Sequence, residues 1–75
     1  MARRLWSNPD NPPDWVAREM RRATGKEITR EQLGEALHMI KREAGLRPRD
    51  RVYIYDDGSV SDDTDSPIGN LYDEI

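Results

Sequence analysis

Apolar residues recur at helical spacing in one long stretch, Leu33, Ala36, Leu37, Ile40 and Ala44, with polar side chains between them. That period predicts an amphipathic helix whose apolar stripe belongs to the core. Both of its ends are marked. Thr29 and, three residues later, Gln32 form a capping box, each side chain satisfying a free backbone N–H, while Ile28 and Leu33 form a hydrophobic staple. Gly45 is placed to end the helix in a left-handed conformation, with Leu46 folding back toward Ile40.

A shorter helical pattern comes first. Pro12-Pro13-Asp14 opens it, since proline is tolerated in a first turn and Asp14 complements the positive helix end. Trp15, Val16, Met20 and Ala23 supply its apolar side and Gly25 closes it. The link Gly25-Lys26-Glu27-Ile28 is short enough to make the two helices neighbours.

Beyond Leu46 the period changes to two. Arg51-Val52-Tyr53-Ile54-Tyr55 reads as a strand with Val52 and Ile54 toward the helices and both tyrosines on the other side. Asp56-Asp57-Gly58 is a hairpin turn signal, and Ser59-Val60-Ser61 returns as a short strand. After a second acidic turn, Ile68-Gly69-Asn70-Leu71-Tyr72 reads as a third strand interrupted by Gly69. The expected fold class is therefore α+β, two helices packed on a small three-stranded antiparallel meander, as one domain over residues 12–75. Residues 1–11 show neither period. With Asn8-Pro9-Asp10-Asn11 leading into Pro12, they read as a Pro-rich N-terminal arm. Trp6 on that arm is either a lid over the core or an anchor that docks on a partner.

Composition narrows the classes. Hydrophobic content of 35% and charged content of 36% over 75 residues describe a single small domain, in a size range where one core supplies only about 3–5 kcal/mol. The absence of cysteine excludes disulfides and thiolate zinc sites. No apolar run approaches the roughly 18 residues of a membrane span, and no apolar segment of a signal peptide follows the first arginines. A cytoplasmic protein with no membrane partner is expected. The net charge of −3 conceals a split: residues 1–51 hold 12 Lys and Arg against 8 Asp and Glu, a net +4, while residues 52–75 hold no base and 7 acids, a net −7. Such asymmetry either steers a charged partner or is neutralised within the fold.

Candidate chemistry gathers on one flank of the main helix. Gly34, His38 and Lys41 lie at i, i+4 and i+7. Histidine is the side chain most often used as an acid or base, which makes His38 a candidate for that role; Lys41 could stabilise a developing oxyanion, and Gly34 would let a ligand approach the helix. The bland alternative is a packing histidine beside a solvated basic face. Arg47, Arg49 and Arg51, followed by Tyr53 and Tyr55, form a candidate partner-binding set together with Trp6. The acidic turns do not fit a calcium loop. With Gly58 at the sixth position, Tyr53 and Tyr55 fall where carboxylates are needed; with Asp62 first, Pro67 replaces the glycine. Neither a metal nor a cofactor is expected.

Ala36-Leu37-His38-Met39-Ile40-Lys41, Ala44-Gly45-Leu46, Asp50, Val52, Asp57-Gly58, Val60 and Ile68-Gly69-Asn70-Leu71 resemble a pattern in small C-terminal domains of bacterial polymorphic toxins. There, an ALHxIK helix precedes a short meander ending in IGNL. The resemblance covers residues 31–75 and implies an effector-type domain acting on RNA, with His38 and Lys41 carried over, exported as part of a toxin system. The chain departs from the pattern in starting with its own methionine without a delivery region. It departs again at Asp62-Asp63-Thr64-Asp65, where such domains often have a basic or neutral turn. Two functions remain open. One is an interaction or accessory protein with a protein partner (RNA being the other candidate), using Trp6 and the charge-polarised surface. The other is a cofactor-free ribonuclease-like toxin using His38 and Lys41. A single histidine on a small polar core favours the first, because catalysis needs groups held in place.

Overall fold

The computed structural model describes residues 2–75. In chain order the elements are β1 (Arg4–Asn8), α1 (Asp14–Thr24), α2 (Arg30–Glu43), β2 (Val52–Tyr55), β3 (Ser59–Ser61), β4 (Pro67–Asn70) and a closing 3-10 turn, Leu71–Glu74. The fold is α+β, with the helices and the 3-10 turn on one face of an antiparallel sheet.

The ends of α2 are set by its own residues. Gln32 N donates to Thr29 Oγ1 at 3.1 Å and Thr29 N to Gln32 Oε1 at 2.9 Å, completing the capping box. At the other end Gly45 has φ 76°. Leu46 N donates to Lys41 O at 2.8 Å and Gly45 N to Arg42 O at 3.1 Å, the paired bonds of a Schellman motif. α1 starts after an extended Pro13 and ends at Gly25, whose N–H donates to Arg21 O at 2.8 Å.

Four strands form the sheet, in the order β1-β2-β3-β4, one more than the expected meander. The fourth is contributed by the segment read as an arm, of which Met1 lies outside the described residues. Its pairing explains why no period was visible there. Arg4 lies opposite Tyr55 and Trp6 opposite Ile54, so the register slips by one residue at Leu5. A bulge of this kind sets two consecutive residues against one partner. Leu5 and Trp6 both pack on the core, and two adjacent inward side chains erase the alternation that marks a strand.

The same device recurs in β4. Val60 faces Gly69 and Ser61 faces Pro67, leaving Ile68 as the extra residue. Ile68 packs on the core, while a Cβ on Gly69 would stand 3.2 Å from Ile40 Cγ1. The strand then stops earlier than its apolar residues suggest. Asn70 Oδ1 accepts a bond from Tyr72 N at 2.9 Å and starts the 3-10 turn, so Leu71 and Tyr72 leave the sheet. Leu71 is fully buried. Tyr72 Oη lies 2.9 Å from Thr24 Oγ1 and ties the chain's end to α1.

Val16, Met20, Leu33, Ile40, Val52, Ile54, Val60 and Leu71 are fully enclosed. Two residues expected in the apolar stripes are not: Ala23 and Ala44 face solvent. Ala17 and Pro12 are buried instead. Trp15 is 39% exposed and meets the Trp6 ring edge-on, with centroids 6.0 Å apart.

Gly58 is the tightest point of the hairpin. It has φ 91°, and an added Cβ would lie 2.6 Å from Tyr72 Cδ2. Gly58→Ala is expected to cost about 2–4 kcal/mol, combining left-handed strain with displacement of the ring. A urea titration should show a correspondingly lower midpoint, and a loss below about 1 kcal/mol would contradict this account of the turn.

Candidate functional site

Where α2 ends, the chain turns sharply through Arg47-Pro48-Arg49-Asp50. Pro48 sits at the second turn position, where its fixed φ is favoured. Asp50 closes the turn twice: its Oδ2 accepts from Arg47 N at 2.9 Å, and its own N–H donates to Arg47 O at 3.0 Å. The turn is also held from the helix. Lys41 Nζ donates to Pro48 O at 2.8 Å.

Lys41 is thus a core-side residue, only 4% exposed, and not the flanking group its spacing suggested. Its long stem is buried while its ammonium reaches a carbonyl, the usual way a lysine is accommodated near a core. Burial pushes the ammonium's pKa down, and the nearby charge of Asp50 partly offsets this.

Arg47, Arg49 and Arg51 are all exposed. Among the described residues none of the three pairs with a carboxylate, as is also true of Arg18, Arg30 and Arg42, whereas Arg3, Arg4, Arg21 and Arg22 do. Three guanidinium groups within five residues therefore stand free beside a turn whose backbone is fixed.

His38 lies on the exposed side of α2, and among the described residues no hydrogen bond or ion pair orients it. It borders two depressions. With Lys41, Arg42, Gly45, Leu46 and Pro48 it lines a hollow of about 250 Å³. With Gly34, Arg30, Glu31, Glu35 and Met39 it borders a broader groove of about 780 Å³. A Cβ on Gly34 would meet nothing within 4 Å, so packing within the chain does not require glycine there.

The other predicted partner residues are engaged internally. The Arg4 guanidinium stacks 4.0 Å above the Tyr53 ring and donates to Tyr55 Oη at 3.4 Å. Tyr55 Oη donates to Asp65 Oδ1 at 2.5 Å, and Arg4 stands 3.9 Å from Asp65 Oδ2. Together these contacts bind the edge strand, β2 and the β3–β4 loop into one cluster on the sheet's outer face. Trp6 is half-buried against the core, and among the described residues its Nε1 has no hydrogen-bond partner.

The acidic turn is likewise self-satisfied. Asp62 Oδ1 accepts from Thr64 Oγ1 at 2.6 Å, Ser66 N at 2.9 Å and Thr64 N at 3.0 Å, and these bonds hold its carboxyl below the usual carboxylate range. Among the described residues no three His, Cys, Asp or Glu side chains converge as metal ligands. No helix among them is long and apolar enough to cross a membrane.

Two contributors had no clear signal in the sequence. Arg4 reaches the tyrosines only because the bulge sets the register of β1. Asp50 was legible in principle, since Arg-Pro-Arg-Asp is turn chemistry with an acceptor at its end. Compared with known proteins, the chain matches no family model, no curated protein and no solved structure.

Two substitutions test this account. A buried lysine whose pKa is lowered on folding binds protons less readily in the folded state. Its destabilising contribution is complete below the folded pKa and disappears as pH rises through the unfolded value of about 10.5. As pH rises toward the unfolded value of about 10.5, the wild type should therefore gain stability relative to Lys41→Met, as read by urea unfolding of both proteins. A difference that does not change with pH would mean that the ammonium is fully solvated. Trp6→Phe should cost less than about 2 kcal/mol, because the smaller ring also removes an unpaired buried donor, whereas Trp6→Ala should cost about 3 kcal/mol or more.

Proposed function

We propose that this chain is a non-catalytic interaction module that binds an acidic protein surface through Arg47, Arg49 and Arg51. The observation that carries this reading is the set of three unpaired guanidinium groups at a turn locked by Asp50 and Lys41. Arginines held near a rigid backbone lose less freedom on binding than arginines on a mobile loop, and their planar forks suit paired contacts with carboxylates. Three arginines within five residues make a short, discrete basic patch, which suits a cluster of carboxylates on a protein better than the long phosphate run of an RNA. The module's own Trp6 contributes through stability, by holding β1 in place.

The ribonuclease-like reading has less support. It needs His38 to be held as an acid or base against a reacting group, yet among the described residues no hydrogen bond or ion pair orients it. Candidate bases in working sites are usually placed by a second group.

Fluorescence anisotropy with a labelled polyglutamate peptide tests the proposal. Affinity should fall about tenfold or more between 50 and 200 mM salt, as exposed charges are screened. The combined substitution Arg47→Ser, Arg49→Ser, Arg51→Ser should abolish binding while leaving the thermal midpoint within a few degrees. Binding that survives the triple substitution, or tighter binding to a mixed RNA of equal charge, would overturn it. In EDTA the purified protein should leave total RNA intact; cleavage that disappears in His38→Ala would establish the other function.

A further inference from the structure

The hollow at the end of α2 has a property that the three arginines do not explain. Among the described residues its lining holds no acid: His38 and Arg42 come from the exposed side of the helix, and the Lys41 ammonium from below. Gly45, Leu46 and Pro48 complete the wall.

A helix C-terminus ordinarily disfavours an anion, because its last carbonyls carry partial negative charge. Here three carbonyls of the last turn are already occupied. Ile40 O accepts from Ala44 N at 3.0 Å, Lys41 O from Leu46 N at 2.8 Å and Arg42 O from Gly45 N at 3.1 Å. Asp50 is the acid whose charge reaches Lys41, and its Oδ2 is engaged by Arg47 N.

Lys41 has donors to offer a ligand. An ammonium has three; among the described residues Pro48 O takes one, and Lys41 lines the hollow. An incoming oxyanion would supply further acceptors, and its charge would offset the cost of burial.

We propose that the hollow formed by His38, Lys41 and Arg42 is a receptor for a single phosphoryl group carried by a protein partner. This rests on the interaction reading above and deepens it: Arg47, Arg49 and Arg51 would contact the acidic residues flanking a phosphorylated side chain. A phosphoryl group fits better than a carboxylate because it brings up to two negative charges and three acceptor oxygens to a site with several cationic donors. The hollow is a discrete depression instead of a continuous basic groove, which suits one phosphoryl group better than a run of phosphodiesters.

Inorganic phosphate is the first probe, titrated into the 15N-labelled full chain against chloride at equal ionic strength. Saturable shifts should appear at His38, Lys41, Arg42 and Gly45 with phosphate and not with chloride. Arg42→Gln, an exposed substitution, should weaken phosphate binding about tenfold, and Lys41→Met should abolish it. Arg49→Ser should leave it unchanged, so loss of polyglutamate binding and loss of phosphate binding separate the two readings. If Lys41→Met does not fold, Arg42→Gln alone decides. Uniform weak shifts, or localised shifts that persist in Arg42→Gln, would overturn the site. A second arm compares an acidic phosphoserine peptide with a 5′-phosphorylated ribo-oligonucleotide. Tighter binding of the peptide, lost on dephosphorylation, is expected; tighter binding of the oligonucleotide would overturn the assignment to a protein partner.

Discussion

Twelve buried apolar side chains make up the core, and no disulfide or metal reinforces it among the described residues. A core of this size leaves little surplus stability, so chain ends and turns must be fixed by local hydrogen bonds. The capping box, the Schellman turn, the Asp62 loop and the Asn70 cap each close a point where the backbone would otherwise fray. The Lys41 contact belongs to the same group. It spans from helix to loop and spares the Arg-Pro-Arg-Asp turn the need for apolar anchors of its own.

This economy accounts for what could be read from the residues alone. The second helix was legible because its signals are local: a stripe at period 3.6, a box at its start and a glycine at its end. Val52 and Ile54 were placed correctly because their strand alternates without interruption. β1 was not legible. Its bulge sets Leu5 beside Trp6 on one face, and its partner strand lies more than forty residues away. Likewise, Leu71 and Tyr72 look like a continuing strand until Asn70 is recognised as a cap.

The candidate residues divide along the same line. Arg47, Arg49 and Arg51 were singled out by type, and the structure leaves all three exposed. Tyr53 and Tyr55 were placed on the correct face, but the guanidinium above them comes from a strand that the sequence did not reveal. Lys41 shows the limit of helical spacing. Position on a wheel gives an angle, whereas the loop that crosses the helix end decides whether that angle is solvent or interior. Several residues of the stretch 31–75 also have structural explanations here. Gly69 makes room for Ile40, Asn70 caps a turn, and Leu71 fills the core.

The pairing of β1 with β2 also decides what the sheet offers to another chain. β1 occupies the free side of β2, whose Val52 and Ile54 are fully buried and whose backbone would otherwise face water. An uncovered strand of this kind is a template for another chain. β1 itself is a poor template, being short, kinked by its bulge and followed by Pro9. Residues 4–8 therefore act as a built-in shield for the sheet, and their removal would leave β2 as an adhesive edge.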